Sequence, residues 1–176
     1  DDSRDIPVAV LNVTAGDYQS GEGPEMTLDG DSTTTWHTDW YAGPDHTNHW
    51  IQFELSSNYR VDSLRYLPRQ SGGTNGIITQ YEVHVSLDGE NWEKVAEGSW
   101  DNDTQWKEAA FAATEAKYIR LVTVEAESDQ SIKFASAAEI RLTGFLAVEC
   151  KEHTTELRNA VAPTCEEDGY TGDLIC

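Results

Sequence analysis

Apolar and polar residues alternate along several short segments of the chain. In residues 49–55, the apolar side chains of Ile51, Phe53 and Leu55 alternate with polar ones. Because successive side chains of a strand point to opposite faces, this period of two predicts a half-buried β-strand. The same reasoning predicts strands over residues 80–87 and 138–142, and residues 118–124 are β-branched and apolar enough to form a central strand.

A turn signal separates two of the predicted strands. Asp88-Gly89 follows residues 80–87, and residues 92–95 form the returning strand of a predicted hairpin. Asp-Gly favours the positive-φ turns that close such hairpins. No long window shows helical periodicity. Many short strands with polar turns predict an all-β fold, an antiparallel β-sandwich or jelly roll.

The character of the chain changes near Val148. Residues 149–176 show no sustained alternation and contain all three cysteines, Cys150, Cys165 and Cys176. A segment of about thirty residues cannot bury a core by itself. We therefore expect one domain over residues 1–148 and a truncated, mostly irregular Cys-containing segment over residues 149–176. The odd number of cysteines leaves at least one thiol unpaired within the chain.

Charge narrows the classes of partner. The 176 residues include 12 Lys and Arg against 32 Asp and Glu, a formal net charge of −20. Such a charge disfavours binding to nucleic-acid phosphates or to an anionic membrane, and it leaves neutral ligands open. The chain begins with charged residues, and no apolar stretch is long enough to span a bilayer. We expect a piece of a larger protein, because the chain ends within a cysteine pattern.

No catalytic motif is recognisable. HExxH, GxSxG, GxGxxG, P-loop and CxxC patterns do not occur in the sequence. Carboxylates are abundant, but nothing singles out one protonated acid and one ionised partner, as glycoside hydrolysis requires. The sequence therefore gives no positive support for an enzyme.

Two long segments between predicted strands, residues 29–48 and 68–78, carry the candidate binding chemistry, because irregular loops on a rigid β scaffold commonly bind ligands. Asp29-Gly30-Asp31 with Thr34 offers oxygens suited to Ca²⁺, although an Asx-turn without a metal explains the same residues. Glu139, at the start of the last predicted strand, is either a further oxygen ligand or an ordinary strand residue.

Aromatic residues cluster in residues 36–41, where Trp36, Trp40 and Tyr41 flank His37. An exposed cluster of this kind suits stacking on the C–H face of a sugar. Alternatively, Trp36 and Tyr41 are core residues and His37 is incidental. Residues 68–76 place Arg69 at a strand end and then turn through glycines, so this segment is either a polar binding loop or a surface turn.

The order of these motifs resembles the discoidin-type β-sandwich of the coagulation factor V/VIII C domains. Within that fold it is most similar to carbohydrate-binding module family 32, over roughly residues 5–147. The blocks that carry the resemblance are Asp29-Gly30-Asp31, Trp36-His37-Thr38, Trp50-Ile51-Gln52-Phe53-Glu54-Leu55, Leu67-Pro68-Arg69, Asn75-Gly76, Ser86-Leu87-Asp88-Gly89, Tyr118-Ile119-Arg120-Leu121 and Ala135-Ser136-Ala137-Ala138-Glu139-Ile140.

The resemblance implies a structural Ca²⁺ and a sugar site. The implied metal ligands are Asp29, Asp31, Thr34 and Glu139, with backbone carbonyls near Met26 and Ala138. The implied sugar-binding residues are His37, Arg69 and Asn75, with Trp40 and Phe134 as sugar-packing aromatics. An imidazole, a guanidinium and an amide can bracket one axial hydroxyl, so we expect galacto-configured sugars to bind in preference to gluco-configured ones.

The end of the chain resembles a short repeat in secreted proteins of Gram-positive bacteria. Cys150, His153 and Cys176 could supply three of four Zn²⁺ ligands. The alternatives are a disulfide, such as Cys165 to Cys176, or a disordered segment.

These observations predict a non-catalytic carbohydrate-binding module of a larger, secreted or cell-surface, bacterial glycan-active enzyme. The expected ligand is terminal galactose or N-acetylgalactosamine on host glycans such as mucin. We expect a monomer, covalently linked to a catalytic domain, with no nucleic-acid or membrane partner. The alternative is a discoidin-type adhesion domain that binds protein or phospholipid.

Overall fold

A computed structural model of the chain describes residues 8–42, 49–128, 133–147, 156–158 and 173–175. A 3-10 helix, Pro24–Leu28, is the only helix among these residues. The strands are β1 (Val10–Ala15), β2 (Trp36–His37), β3 (Trp50–Leu67), β4 (Ile78–Ser86), β5 (Glu93–Ser99), β6 (Lys107–Ala126), β7 (Ser136–Ala137), β8 (Glu139–Leu146), β9 (Glu156–Arg158) and β10 (Asp173–Ile175).

Two long antiparallel strands, β3 and β6, run through both layers of a β-sandwich. The first part of β3 pairs with β1 on one side and with the end of β6 on the other. Its second part lies between β8 and the beginning of β6. Strands β4 and β5 extend the first layer, which has the order β1-β3-β6-β4-β5. The second layer therefore consists of β8, β3 and β6.

The bend between the layers follows from breaks in strand register. The β3–β6 pairing shifts between Glu54 and Tyr59, and again between Val61 and Ser63. Exposed polar residues 56–58 occupy the first break. Irregular pairing bends a strand and increases its twist, which allows one strand to serve two layers.

One hydrophobic core lies between the layers. Phe53 and Leu55 from the first layer and Leu64 and Tyr66 from the second are fully buried in the same cluster. Full burial of a large apolar side chain stabilises the fold by about 1.5–3 kcal/mol. Other members of the cluster are Val83, Val85, Ile119, Leu121, Ile140 and Leu142.

The structure confirms the predicted all-β sandwich. The predicted strand over residues 49–55 is the first part of β3, and that over residues 118–124 lies within β6. The predicted hairpin joins β4 to β5, with Gly89 at a φ of 79°. Residues 80–87 and 138–142 correspond to β4 and β8 within a few positions.

Of residues 149–176, the structure describes only residues 156–158 and 173–175. Strands β9 and β10 pair antiparallel, with Arg158 opposite Asp173. Cys150, His153, Cys165 and Cys176 lie outside the described residues, so the zinc and disulfide hypotheses stay predictions. In the part of the chain that is described, no helix has the length and apolar character needed to cross a membrane.

Gly144 in β8 provides a test of the register between β8 and β3. Gly144 pairs with Val61, and a Cβ on Gly144 would lie 2.9 Å from the Val61 Cα and closer still to the Arg60 carbonyl oxygen. We expect Gly144→Ala to lower the free energy of unfolding by about 1–3 kcal/mol, because neighbouring backbone must move. Chemical denaturation measures the effect.

Glu93→Ala is the matched control, because Glu93 is an exposed strand residue. It should change stability by less than about 0.5 kcal/mol. Equal denaturation midpoints for Gly144→Ala and the unmodified chain would contradict this register.

Candidate functional site

Backbone hydrogen bonds join three separate loops at one end of the sandwich. Strand β2 pairs with β7, with His37 opposite Ser136. The Thr38 amide donates to the Ala135 carbonyl oxygen at 2.9 Å, and the Ala135 amide donates to Thr38 Oγ1 at 3.0 Å. The Ser136 amide donates to the Gly76 carbonyl oxygen at 2.9 Å. Residues 36–38, 69–76 and 134–137 are thereby held together.

Gly76 permits the close approach of two of these loops. Its φ is 85°, a conformation that side chains disfavour, and a Cβ there would lie 2.9 Å from backbone atoms of Ala135 and Ser136. Backbone packing therefore requires a glycine at position 76 of the Asn75-Gly76 pair noted in the sequence.

Trp36 is a core residue. Its side chain is fully buried, and its indole N–H donates to the Asp17 carbonyl oxygen at 3.3 Å. Tyr41, by contrast, is 85% exposed. The alternative that placed both residues in the core is thus right for Trp36 and wrong for Tyr41.

His37 follows Trp36 and is buried, with its ring fixed by a neighbouring carbonyl. Nδ1 lies 2.7 Å from the Thr38 carbonyl oxygen, and the Asn75 backbone is a second hydrogen-bond partner of the ring. A neutral imidazole has one N–H donor and one acceptor nitrogen, so one ring nitrogen stays an acceptor. Burial lowers the pKa of His37; the hydrogen bond to Thr38 opposes this change, the nearby Arg69 charge adds to it, and the Asn75 backbone opposes it. The imidazole is therefore neutral near pH 7.

Arg69 lies close to His37 and is held by its own loop. Nη1 donates to the Asn75 carbonyl oxygen at 3.1 Å, and Nε donates to the Ser71 carbonyl oxygen at 3.0 Å. The Asn75 carbonyl also accepts from Ser136 Oγ at 3.2 Å. The loop therefore curls around the guanidinium, which keeps its remaining donors in a fixed orientation.

Glu22 is a member of this cluster that the sequence did not reveal. Its carbonyl oxygen accepts from the His37 amide at 3.2 Å. Burial raises the pKa of its carboxyl group, whereas the Arg69 charge and a hydrogen bond from the Trp40 side chain lower it. Its Oε2 is buried and has no hydrogen-bond partner in the described ranges of the chain. A buried acceptor beside a guanidinium suits a ligand hydroxyl.

The predicted aromatic residues differ in exposure. Trp40 is 48% exposed, and its ring meets the His37 ring edge-on with centroids 6.1 Å apart. Phe134 is 4% exposed and packs against His37 with centroids 5.2 Å apart. Trp40 therefore presents a surface for stacking, whereas Phe134 mainly supports the imidazole. The sugar-packing role predicted for Phe134 stays a prediction, limited by this exposure to an edge contact.

The predicted metal loop forms two Asx-turn hydrogen bonds. Asp29 Oδ1 accepts from the Asp31 amide at 2.8 Å, and Asp31 Oδ1 accepts from the Thr33 amide at 2.9 Å. Thr34 Oγ1 donates to Asp29 Oδ2 at 2.8 Å. Within the described ranges, no group of three or more His, Cys, Asp and Glu side chains is arranged as a metal site.

Glu139, by contrast, places a further carboxylate next to this loop without a positive group to balance the three charges fully. It is buried, its pKa is raised first by burial and then by the Asp29 charge, and its Oε1 has no hydrogen-bond partner among the described residues. The Asp31 charge adds to the repulsion. Carboxylate, hydroxyl and carbonyl oxygens are the donors that Ca²⁺ prefers, so these residues fit that ion chemically.

Comparison with known proteins places the chain among discoidin-like domains. The family model of the F5/8 type C domain matches residues 12–140. Galactose oxidase from Gibberella zeae is 38% identical over 132 residues, which are 74% of this chain and 19% of that protein. The chain thus spans about a fifth of that curated relative.

Two solved structures from Clostridium perfringens are similar over nearly their whole length. CpGH89CBM32-5, in complex with GalNAc-β-1,3-galactose, is 36% identical with a TM-score of 0.66, covering 74% of this chain and 93% of its own. The family 32 module of NanJ, in complex with galactose, is 26% identical with a TM-score of 0.67, and the match covers 78% of this chain and 99% of the NanJ module.

The lowered pKa of His37 predicts a pH effect on stability. The unfolded chain binds a proton at this residue near pH 6.5, whereas the folded chain resists it, so the free energy of unfolding falls as the pH drops below 6.5. His37→Asn removes this contribution. The stability difference between the unmodified chain and His37→Asn, from urea denaturation, should shrink between pH 7.5 and about pH 5. A difference that stays constant or grows toward acidic pH would contradict the assignment.

Proposed function

The chain belongs to the F5/8 type C domain family, and we propose that it binds terminal galactose or N-acetylgalactosamine. Its likeness to family 32 modules confirms the family resemblance of the sequence and identifies a non-catalytic carbohydrate-binding module. The observation that carries the proposed specificity is the cluster of His37, Arg69 and Glu22 beside the exposed ring of Trp40.

Each group in the cluster has a distinct role toward a sugar hydroxyl. Neutral His37 accepts at its unprotonated ring nitrogen, Arg69 donates, and the buried Oε2 atom of Glu22 accepts. A hydroxyl both donates and accepts, so an axial hydroxyl reached from one side can satisfy several of these groups at once. An equatorial hydroxyl would leave them unpaired, and unpaired buried polar groups disfavour the wrong sugar.

Trp40 supplies the apolar part of the proposed site. The side of galactose opposite its axial hydroxyl presents C–H groups that pack on an aromatic face. A half-exposed indole next to the polar cluster offers that face. Asn75 contributes its carbonyl to the orientation of Arg69, and we propose its side chain as a further sugar contact.

The similar structures support the ligand class. One is described in complex with GalNAc-β-1,3-galactose and another with galactose. We propose that this chain likewise tethers a larger secreted glycan-active enzyme to host glycans. A single shallow site would bind with about −4 to −6 kcal/mol, or millimolar to tens of micromolar, and retention would rise with multivalency.

The sugar site is tested with Arg69→Ala. Loss of a charged donor should weaken galactose binding by about 10- to 100-fold, because such hydrogen bonds contribute about 1.5–3 kcal/mol. Isothermal titration with galactose, N-acetylgalactosamine and glucose measures affinity and selectivity. The unmodified chain should bind the first two sugars and not glucose.

Arg60→Ala is the matched control, because Arg60 is exposed on β3 and bonds only to the Ala113 carbonyl among the described residues. It should bind galactose normally. Undiminished binding by folded Arg69→Ala, or equal binding of glucose, would refute the site. Binding to neutral phospholipid vesicles instead of any sugar would favour the adhesion alternative.

For the metal loop, we propose that Asp29, Asp31, Thr34 and Glu139 hold a structural Ca²⁺, with backbone carbonyls near Met26 and Ala138. The support is the repulsion among three carboxylates and the buried, unpartnered Glu139 oxygen. The ion would join the loop before β2 to the start of β8. It would fix the loop that carries His37 and Trp40 without contacting the sugar.

The metal proposal predicts a calcium-dependent melting temperature. Ligand that binds only the folded state stabilises it by about 2.7 kcal/mol at one hundred times its dissociation constant. Asp29→Asn should lose the response to added Ca²⁺, whereas exposed Glu93→Gln should keep it. A melting temperature unaffected by Ca²⁺ and by chelator, with no metal on elemental analysis, would leave the loop as two Asx-turns.

A further inference from the structure

A groove of about 810 Å³ lies away from the sugar cluster, and Arg65, Trp106, Glu139 and Arg141 contribute to its lining. Arg65 on β3 and Arg141 on β8 are directly opposed partners. Their chain neighbours, Leu64 and Ile140 among them, are buried in the core, so the two arginines point to the opposite face of the layer.

Both arginines lie over one indole ring. The Cζ atom of Arg65 is 5.1 Å from the centroid of the Trp106 ring, and that of Arg141 is 4.8 Å from it. Like charges directly opposite each other on paired strands destabilise a sheet. Trp106 offsets part of that repulsion by cation–π attraction, which brings the two guanidiniums together on one half-buried ring.

Neither guanidinium has a hydrogen bond or ion pair in the part of the chain that the structure describes. Other arginines differ: Arg120 donates twice to Gln52 Oε1, at 3.1 and 2.6 Å, while stacked on Trp50 and Trp92. Arg69 is held by two carbonyls. Arg65 and Arg141 therefore have a full set of donors available in a shared groove.

Acidic groups lie near the two guanidiniums, but among the described residues none forms an ion pair with them. Lys107, which also lines the groove, is paired with Asp103. The buried Glu139 carboxylate accepts from the Gly30 amide and lies near Asp29 and Asp31; the Arg141 charge also acts on it and lowers its pKa, without a hydrogen bond or ion pair between the two among the described residues. Glu108 is opposite Arg65 on β6 but forms no ion pair with it among the described residues. In a chain of net charge −20, these two neighbouring guanidiniums, which donate no hydrogen bond among the described residues, offer a local site for an anion.

We propose that Arg65 and Arg141 form a second binding site, which takes the acid group of a negatively charged sugar. A carboxylate or sulfate ester accepts from both guanidiniums, in the planar arrangement that arginine favours over lysine. That the acid is carried by a sugar rests on the proposed function of the module, whereas the oxyanion chemistry rests on the arginine pair itself.

The test follows side-chain nuclear magnetic resonance signals of the full chain during titration. The probes are glucuronic acid, galactose 6-sulfate, galactose and sodium sulfate, at constant ionic strength. Both acidic sugars should shift the Arg65 and Arg141 Nε–H signals and the Trp106 indole signal, and galactose should not. Added NaCl should weaken the response, because these charges are partly exposed. Trp106→Phe assigns the indole signal.

Paired variants separate charge from geometry. In Arg65→Gln/Arg141→Gln the response to acidic sugars should fall at least tenfold, while Arg65→Lys/Arg141→Lys should retain only part of it. Arg60→Gln, on the same strand, should behave as the unmodified chain. Galactose binding at the His37 cluster should be unchanged in all of them, so failure of one site is distinguishable from failure of the other.

Three results would overturn the second site. The first is the absence of any shift at Arg65 and Arg141 with either acidic sugar. The second is an equal response to inorganic sulfate, which would show that the sugar contributes nothing. The third is an undiminished response in a folded Arg65→Gln/Arg141→Gln variant.

Discussion

The candidate sugar site depends on the backbone of Ala135 and Ser136, which hydrogen-bonds to two loops far away in the chain. Ala135 holds Thr38 through a pair of hydrogen bonds, and Ser136 binds the Gly76 carbonyl. The Tyr66 hydroxyl adds a buried link, donating to the Ser136 carbonyl and accepting from the Ile78 amide. His37 and Arg69 are therefore positioned before any ligand arrives. Such pre-organisation reduces the entropy that binding must otherwise oppose.

The sequence predicts the fold wherever burial on one face imposes alternation. Residues 49–55 alternate because their apolar side chains face the core. The sequence does not predict the full length of β6, because Glu108, Ala109 and Ala110 have low strand propensity and form a strand only through pairing with β3. The 3-10 helix Pro24–Leu28 is too short for any periodicity to appear. Pairing between strands that are distant in the sequence therefore determines structure that the local sequence pattern does not predict.

The candidate site is predictable to the extent that its residues have unusual neighbours. His37 and Arg69 stand out beside aromatic and glycine residues, and the structure places both in one cluster. Glu22 is one of 32 acidic residues and has no local signature; only the fold brings it to Arg69 and Trp40. Arg65 and Arg141 are equally inconspicuous, because their opposition depends on the β3–β8 register. Electrostatic neighbours from separate strands cannot be seen from spacing alone.

A crystal structure of the chain with galactose tests the central claim most directly. We expect one pyranose ring packed on Trp40, with its axial 4-hydroxyl within hydrogen-bond distance of the His37 ring and Arg69. The Glu22 carboxylate should accept a hydrogen bond from the same sugar. A galactose bound elsewhere on the sandwich, or bound at this end without contact to His37 and Arg69, would contradict the proposed sugar site.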